Sequence, residues 1–195
     1  MNPKLENPVK LLTAASVLCL ILCANAAMAQ QELLPAQSEI VFVSKQMGVP
    51  VEGRFRKFDA QISFDPAKPE RSKIVFSVDL GSAWLGAPEV DAELPKPVWF
   101  NVAKFPQASF SATAVRRAGP GKFEMQGPLS IKGASQTILV PVQLSQTGTV
   151  TTAVGSFTLK RLAFRIGDNE WADTSMVADE VQVRFKLALN GVAKL

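Results

Sequence analysis

From Ser38 to the end of the chain, apolar and polar residues alternate with a period of two. In "KIVFSVDL", Ile74, Phe76, Val78 and Leu80 share one face. In "KFEMQGPLSIKG", Phe123, Met125, Leu129 and Ile131 oppose Glu124, Gln126, Ser130 and Lys132. "TILVPVQL" gathers Ile138, Val140, Val142 and Leu144, and "LAFRI" gathers Leu162, Phe164 and Ile166. "EVQVRFKLALN" sets Val181, Val183, Phe185, Leu187 and Leu189 against Gln182, Arg184, Lys186, Ala188 and Asn190. One apolar face at period two is the signature of half-buried antiparallel strands. Eight strands are predicted, near 38–46, 50–65, 72–81, 107–117, 121–133, 136–147, 149–166 and 178–191. The turn-forming stretches "DPAKPE", "RAGPG", "KGASQ", "QTGT" and "GDNE" separate them. The second strand changes face near Arg56–Lys57, which predicts a bulge or a sharp bend.

One region breaks the alternation. "GAPEVDAELPKPVWFNVAKFP", from Gly86 to Pro106, is a long connection with room for a helical turn or two in "EVDAEL". A connection of that length in a compact β domain usually has a task, and its Trp99, Phe100 and Phe105 suit it to capping one end of a barrel. Strands with a single apolar face need two stacked sheets or one closed sheet. Eight strands closing on themselves leave room for side chains or one small ligand. The pattern alone favours a barrel only modestly over a sandwich.

The first residues read differently. Lys4 and Lys10 precede the apolar run "LLTAASVLCLILC", and Ala27 and Ala29 stand as the small residues of a cleavage site. This is the pattern of a secretory signal peptide, residues 1–29, cut after Ala29. The run is short for a membrane span. Leu18 and Leu22 precede Cys19 and Cys23, which rules against a lipoprotein. The remainder of the chain, 30–195, suits one domain with a sizeable core. It holds no cysteine, histidine or tyrosine, which excludes thiol nucleophiles, His-based triads, the usual zinc sites and disulfides. Removing Lys4, Lys10 and Glu6 takes the net charge from +4 to +3. The cations are scattered, apart from pairs such as Arg116–Arg117 and Lys160–Arg161, and read as a solvated surface rather than a nucleic-acid patch, and no metal site is expected.

Three stretches could carry chemistry. "GDNEWADTS" packs Asp168, Glu170 and Asp173 around Trp171. Such acids in a Gly/Asn-rich segment are chiefly turn formers, here placed to hold Lys160 or Arg161, while Trp171 is placed to plug a barrel end. "GRFRKF" clusters Arg54, Arg56 and Lys57, either a wet outer face or a clamp for a charged head group, with Arg54 the candidate. Phe42, Phe76, Phe110, Phe123, Phe157, Phe164 and Phe185 sit mid-strand; from pattern alone they are packed core.

"SKQMGVPVEGRFRKFDAQISFDP", "IVFSVDLGSAWLGAPEVDAEL", "KPVWFNVAKFPQASF", "GPLSIKGASQTILVPV" and "GSFTLKRLAFRIGDNEWADTSMVADEVQVRFKL" together resemble the YceI-like family over about Leu34 to Leu189. The resemblance implies an all-β, eight-stranded, antiparallel lipocalin-like β-barrel in an exported, periplasmic bacterial protein. It also implies an apolar tunnel holding a polyisoprenoid or similar long-chain amphiphile, such as an isoprenoid quinone, with no catalytic residues and no cofactor beyond that ligand. The phenylalanines above, with Met125, then become the tunnel wall. Many relatives carry histidine where this chain has Gln46, so any role of that histidine is absent here. A ligand-free stress or assembly factor acting through its surface stays open as an alternative. So does an enzyme acting on the bound lipid through Asp79, Glu89, Asp91, Asp168, Glu170 or Asp173. A homodimer and a transient membrane contact are left open as well.

Overall fold

A computed structural model describes residues 31–195; the signal peptide read at 1–29 lies outside the described residues. Twelve strand segments form one antiparallel sheet: β1 (Glu32–Leu33), β2 (Glu39–Gln46), β3 (Val49–Phe55), β4 (Phe58–Ser63), β5 (Lys73–Asp79), β6 (Ala83–Trp84), β7 (Gln107–Ser111), β8 (Ala114–Gly119), β9 (Lys122–Ile131), β10 (Ala134–Thr147), β11 (Val150–Lys160) and β12 (Glu180–Asn190). Three of the four segments in excess of eight come from bends within long strands, and the fourth is the short β1. β3 and β4 are one strand broken at Arg56–Lys57, where the face change predicted a bend. β5–β6 and β7–β8 are likewise continuous stretches with a kink.

The broken strand closes the sheet. β3 pairs with β2 on one side and with β6 on the other, while β4 pairs with β5. The Arg56 N–H donates to Ser82 O, and the Asp79 N–H donates to Lys57 O, carrying the ladder across the kink. From there β5, β7–β8, β9, β10, β11 and β12 follow in order, and β12 returns to β2. Each stretch lies beside its neighbour in sequence, which makes an up-and-down barrel with no free edge along most of its height.

The two ends differ. At the base, the turns 64–72, 119–122 and 147–150 meet both ends of the described chain. β1 pairs with β12, Gln31 bridges to Ile62, and the Gln31 side chain exchanges two hydrogen bonds with the Phe64 backbone. Below the kink β2 has left β4, and the 31–33 segment fills the gap there. At the other end, the loops 85–106 and 161–179 form a cap. The long connection makes one helical turn, α1 (Pro88–Asp91), and then buries Leu94 and Phe100 against Leu80, Leu159 and Phe164. The last part of the predicted 149–166 strand is not strand: residues 161–164 form a 3-10 turn, and Arg165 adopts a left-handed conformation (φ 57°). Phe164 therefore points into the cap rather than along a barrel wall.

Close packing of the bends selects particular glycines. Where β7 breaks into β8 it presses on β9, and a β-carbon at Gly127 would stand 1.9 Å from the Ser111 carbonyl oxygen. Gly48, in the β2–β3 turn, has open space around it and a φ of +82°. The G127A variant is therefore expected to lose about 3 kcal/mol of stability through backbone displacement. G48A should lose about 1 kcal/mol, from its left-handed conformation alone. Denaturant unfolding of the two variants, side by side, checks this difference.

Candidate functional site

Alternation turns one side chain in two toward the barrel axis. In an ordinary core these inward groups would be fully buried. At the base Phe123, Val142, Leu144 and Ala153 are, and so are Leu80 and Phe164 at the cap. Between them Phe76, Phe110, Met125, Ile138, Phe157, Phe185 and Leu187 face inward yet are only half-buried. Inward groups that keep accessible surface border empty space. That space is a chamber of ≈ 160 Å³, walled by Ile40, Phe76, Phe110, Met125, Phe157 and Phe185 among other apolar side chains, and no charged residue lines it.

The buried Thr151 and Gln146 side chains at the base end of this chamber are paired. Thr151, with no exposed surface, accepts from Gln146 Nε2 at 3.0 Å, and the same amide donates to Val192 O at 3.2 Å. An apolar cavity of about 150 Å³ with such walls stays dry and takes a benzene-sized guest. Burial of a methylene contributes about 0.8 kcal/mol, so one five-carbon unit offers ~4 kcal/mol gross, about millimolar affinity, and two units about micromolar. The chamber as it stands fits a group of the first size. A longer chain requires the half-buried rings and the flexible Met125 to shift.

Five of the nine residues proposed for ligand contact line the chamber: Phe76, Phe110, Met125, Phe157 and Phe185. The other four do not. Phe123 belongs to the base plug, with its ring edge-on to Phe64 at 5.1 Å. Phe164 packs in the cap cluster. Phe42 does face inward, but it lies above the chamber, 5.2 Å from the Phe55 ring. Arg54 is on the outer wall, because its neighbours Gly53 and Phe55 take the inward positions. Its guanidinium lies 5.2 Å from the Trp84 ring, and that of Arg56 lies 4.2 Å from the same ring. Both cations thus lie against an outward tryptophan.

The cap is held by two buried cations that the sequence pattern places on the surface. Arg161, 2% exposed, uses all five of its N–H donors. Nε donates to Ala178 O (3.0 Å), Nη1 to Ile166 O (2.9 Å) and Gly167 O (2.5 Å), and Nη2 to Trp171 O (2.7 Å) and Val177 O (2.6 Å). Carbonyls, not the neighbouring carboxylates, hold it. Burial lowers its pKa, with Asp179 opposing. Lys132, in the β9–β10 turn, donates to Val98 O at 3.0 Å and to Arg165 O, with Asp168 3.9 Å away. Burial lowers the pKa of its ammonium, Asp168 opposes that, and Arg165 adds to it. Lys132 thus ties loop 85–106 to loop 161–179, while Arg161 gathers loop 161–179 on itself. The sequence signals are present but faint: a Lys-Gly pair in a two-residue turn, and an arginine at the start of an apolar run.

Within "GDNEWADTS" the acids build turns. Asp173 accepts from the Ser175 backbone (2.9 Å) and hydroxyl (2.7 Å), bonds that hold its pKa below the ordinary 3.8. Trp171 packs on Trp99, ring centres 5.5 Å apart, and stays 37% exposed, so it lies against the cap rather than plugging the barrel. None of Asp79, Glu89, Asp91, Asp168, Glu170 and Asp173 borders the chamber. Asp79 caps the Gly81 N–H and Asp91 accepts from the Leu85 N–H.

A closed antiparallel barrel with a dry apolar chamber and a loop cap defines a lipocalin-like class of protein. Residues 32–189 match the YceI-like domain, and the chain belongs to that family. It is similar to BcnA of Burkholderia cenocepacia, with 42% identity and a TM-score of 0.78 over 80% of this chain and 99% of that one. It is also similar to a UPF0312 protein of Azotobacter vinelandii, 32% identical over 67% of this chain and 70% of that protein. A polyisoprenoid binding domain from Saccharophagus degradans, at 15% identity, shares the fold (TM-score 0.69; 83% of this chain and 98% of that one).

Replacing Arg161 with methionine leaves five carbonyls without donors and is expected to destabilise by about 3 kcal/mol or more. Lysine, with three donors, should lose less; denaturant unfolding followed by tryptophan fluorescence reads both. For Asp173, whose folded pKa is depressed, the turn's stabilisation is present above 3.8 and disappears as pH falls through the folded value. In S175A the Asp173 carboxyl titration, followed by NMR, should move up toward 3.8.

Proposed function

We propose that the protein is a periplasmic binding protein that holds a polyisoprenoid, or a similar long-chain amphiphile such as an isoprenoid quinone, inside its barrel and shields it from water. One observation carries this reading: a chamber in the centre of the barrel with overwhelmingly apolar walls and no charged lining, above a packed base. A sheet under no demand to bind would fill its axis, since interiors normally pack to crystal density. Family membership supports a binding role, and the leader at 1–29 supports export. The carboxylates that an enzyme would need lie in turns and away from the chamber, which favours binding over catalysis.

Native mass spectrometry of the exported, cleaved protein, purified without detergent and then extracted for lipid, tests the proposal. A one-to-one adduct that resolves to a prenyl or other long-chain lipid is expected. A bare mass that accepts no added prenyl lipid overturns it. Filling the chamber gives an independent check. Met125→Trp places a large ring in the empty space and should weaken prenyl-lipid binding at least tenfold while leaving the unfolding midpoint nearly unchanged.

A further inference from the structure

The chamber is too small for a long chain, so an occupant must extend past one of its ends. The base is closed by packed side chains and by two paired amides, Gln31 on Phe64 and Gln146 on Thr151 and Val192. On the β7–β9–β11 side of the cap, Leu80, Phe100 and Phe164 are packed solid. The looser path runs up the inner faces of β2, β3 and β12. There Ile40 lines the chamber, and Phe42, Ser44, Val51, Phe55, Val181 and Val183 are inward or adjacent and only half-buried. Phe42 owes its place to Gly53 opposite it, where a β-carbon would meet the ring at 2.3 Å.

Two residues beyond Phe42, on the same face and opposite Val51, stands Ser44. Its Oγ has essentially no solvent-accessible surface and no hydrogen-bond partner. Among the described residues only Ser72 Oγ shares that condition, and it sits in the 64–72 turn at the base. A buried hydroxyl without a partner is destabilising, and valine would pack better at an inward position of this strand. No cation is seen turned inward beside Ser44 among the described residues: the next residue, Lys45, takes the outward position of the alternation on β2 and is exposed. Arg54 and Arg56 stack outside on Trp84, Arg184 pairs with Glu52 at 2.6 Å, and Lys132 and Arg161 are taken up by carbonyls.

We propose that the ligand path continues from the chamber past Phe42 to Ser44, and that Ser44 hydrogen-bonds an uncharged polar head, a hydroxyl or carbonyl, so that the protein selects neutral-headed long-chain lipids over their phosphates. The inference rests on the binding role proposed above and assigns the head group within it. An anionic head brought to this point would be desolvated without a counter-charge, whereas an alcohol or quinone oxygen would complete Ser44.

Three probes separate the alternatives when titrated into the detergent-free protein: geranylgeraniol, geranylgeranyl phosphate and squalene, the last a hydrocarbon without a head. The expected result is geranylgeraniol bound at least tenfold more tightly than its phosphate. Ser44→Ala should weaken the alcohol three- to tenfold, the range of one hydrogen bond, and leave squalene within twofold, which also reports that the variant is folded. Ser44→Thr, which keeps the hydroxyl, should retain the preference for the alcohol. Tighter binding of the phosphate, or equal losses for alcohol and squalene in Ser44→Ala, overturns the head-group assignment while the binding role stands. Failure of all three probes to bind overturns both.

Discussion

The structure depends on one strand serving both ends of a sheet. Residues 49–63 pair with β2 and β6 above the break at Arg56–Lys57 and with β5 below it. Were this strand straight, β4 would continue away from the curve and the sheet would present two long unpaired edges. The kink turns the ladder through the angle that closure needs, as bulges do in barrels generally. Closure in turn converts the alternating pattern into an inside and an outside. Every inward apolar side chain is then committed to a space of fixed width.

That width explains why the middle stays hollow while the ends are packed. A barrel of eight strands is just wide enough for side chains to fill, and at each end extra chain supplies what the strands lack. The base receives Leu33, Phe64 and Val192 from outside the main strands, and the cap receives Leu94, Phe100 and Phe164 from its two loops. No loop reaches the centre. The two amides at the base, Gln31 and Gln146, are paired with backbone and with Thr151. Topology thus sets where the chamber lies: short turns and capping loops thicken the ends and leave the waist to the strands alone.

The elements are legible in the sequence because the alternation is clean and its interruptions are chemically marked. The break at Arg56–Lys57 shows as a face change, and the cap loop shows as a stretch without period. Phe76, Phe110, Met125, Phe157 and Phe185 can be placed inward from the same pattern. Height along the barrel is not legible, because period two carries no information about which inward residue is mid-barrel and which is at an end; Phe123 and Phe42 are misplaced for that reason. Phe164 is misplaced because "LAFRI" keeps the alternation of a strand while Arg161 bends its backbone into a turn. A charged residue reads as surface by default, and only the three-dimensional convergence of five carbonyls makes the interior acceptable to Arg161.

That convergence bears on how the protein can change over evolutionary time. Arg161 recognises its loop through main-chain oxygens of residues 166, 167, 171, 177 and 178, and every residue type supplies the same carbonyl. Exposed side chains along 168–176 that make no turn or ring contact of their own, such as Glu170 and Thr174, can therefore be exchanged while the loop keeps its path. The outer surface of the cap is free to acquire new recognition properties, and the barrel beneath need not be rebuilt to accommodate them.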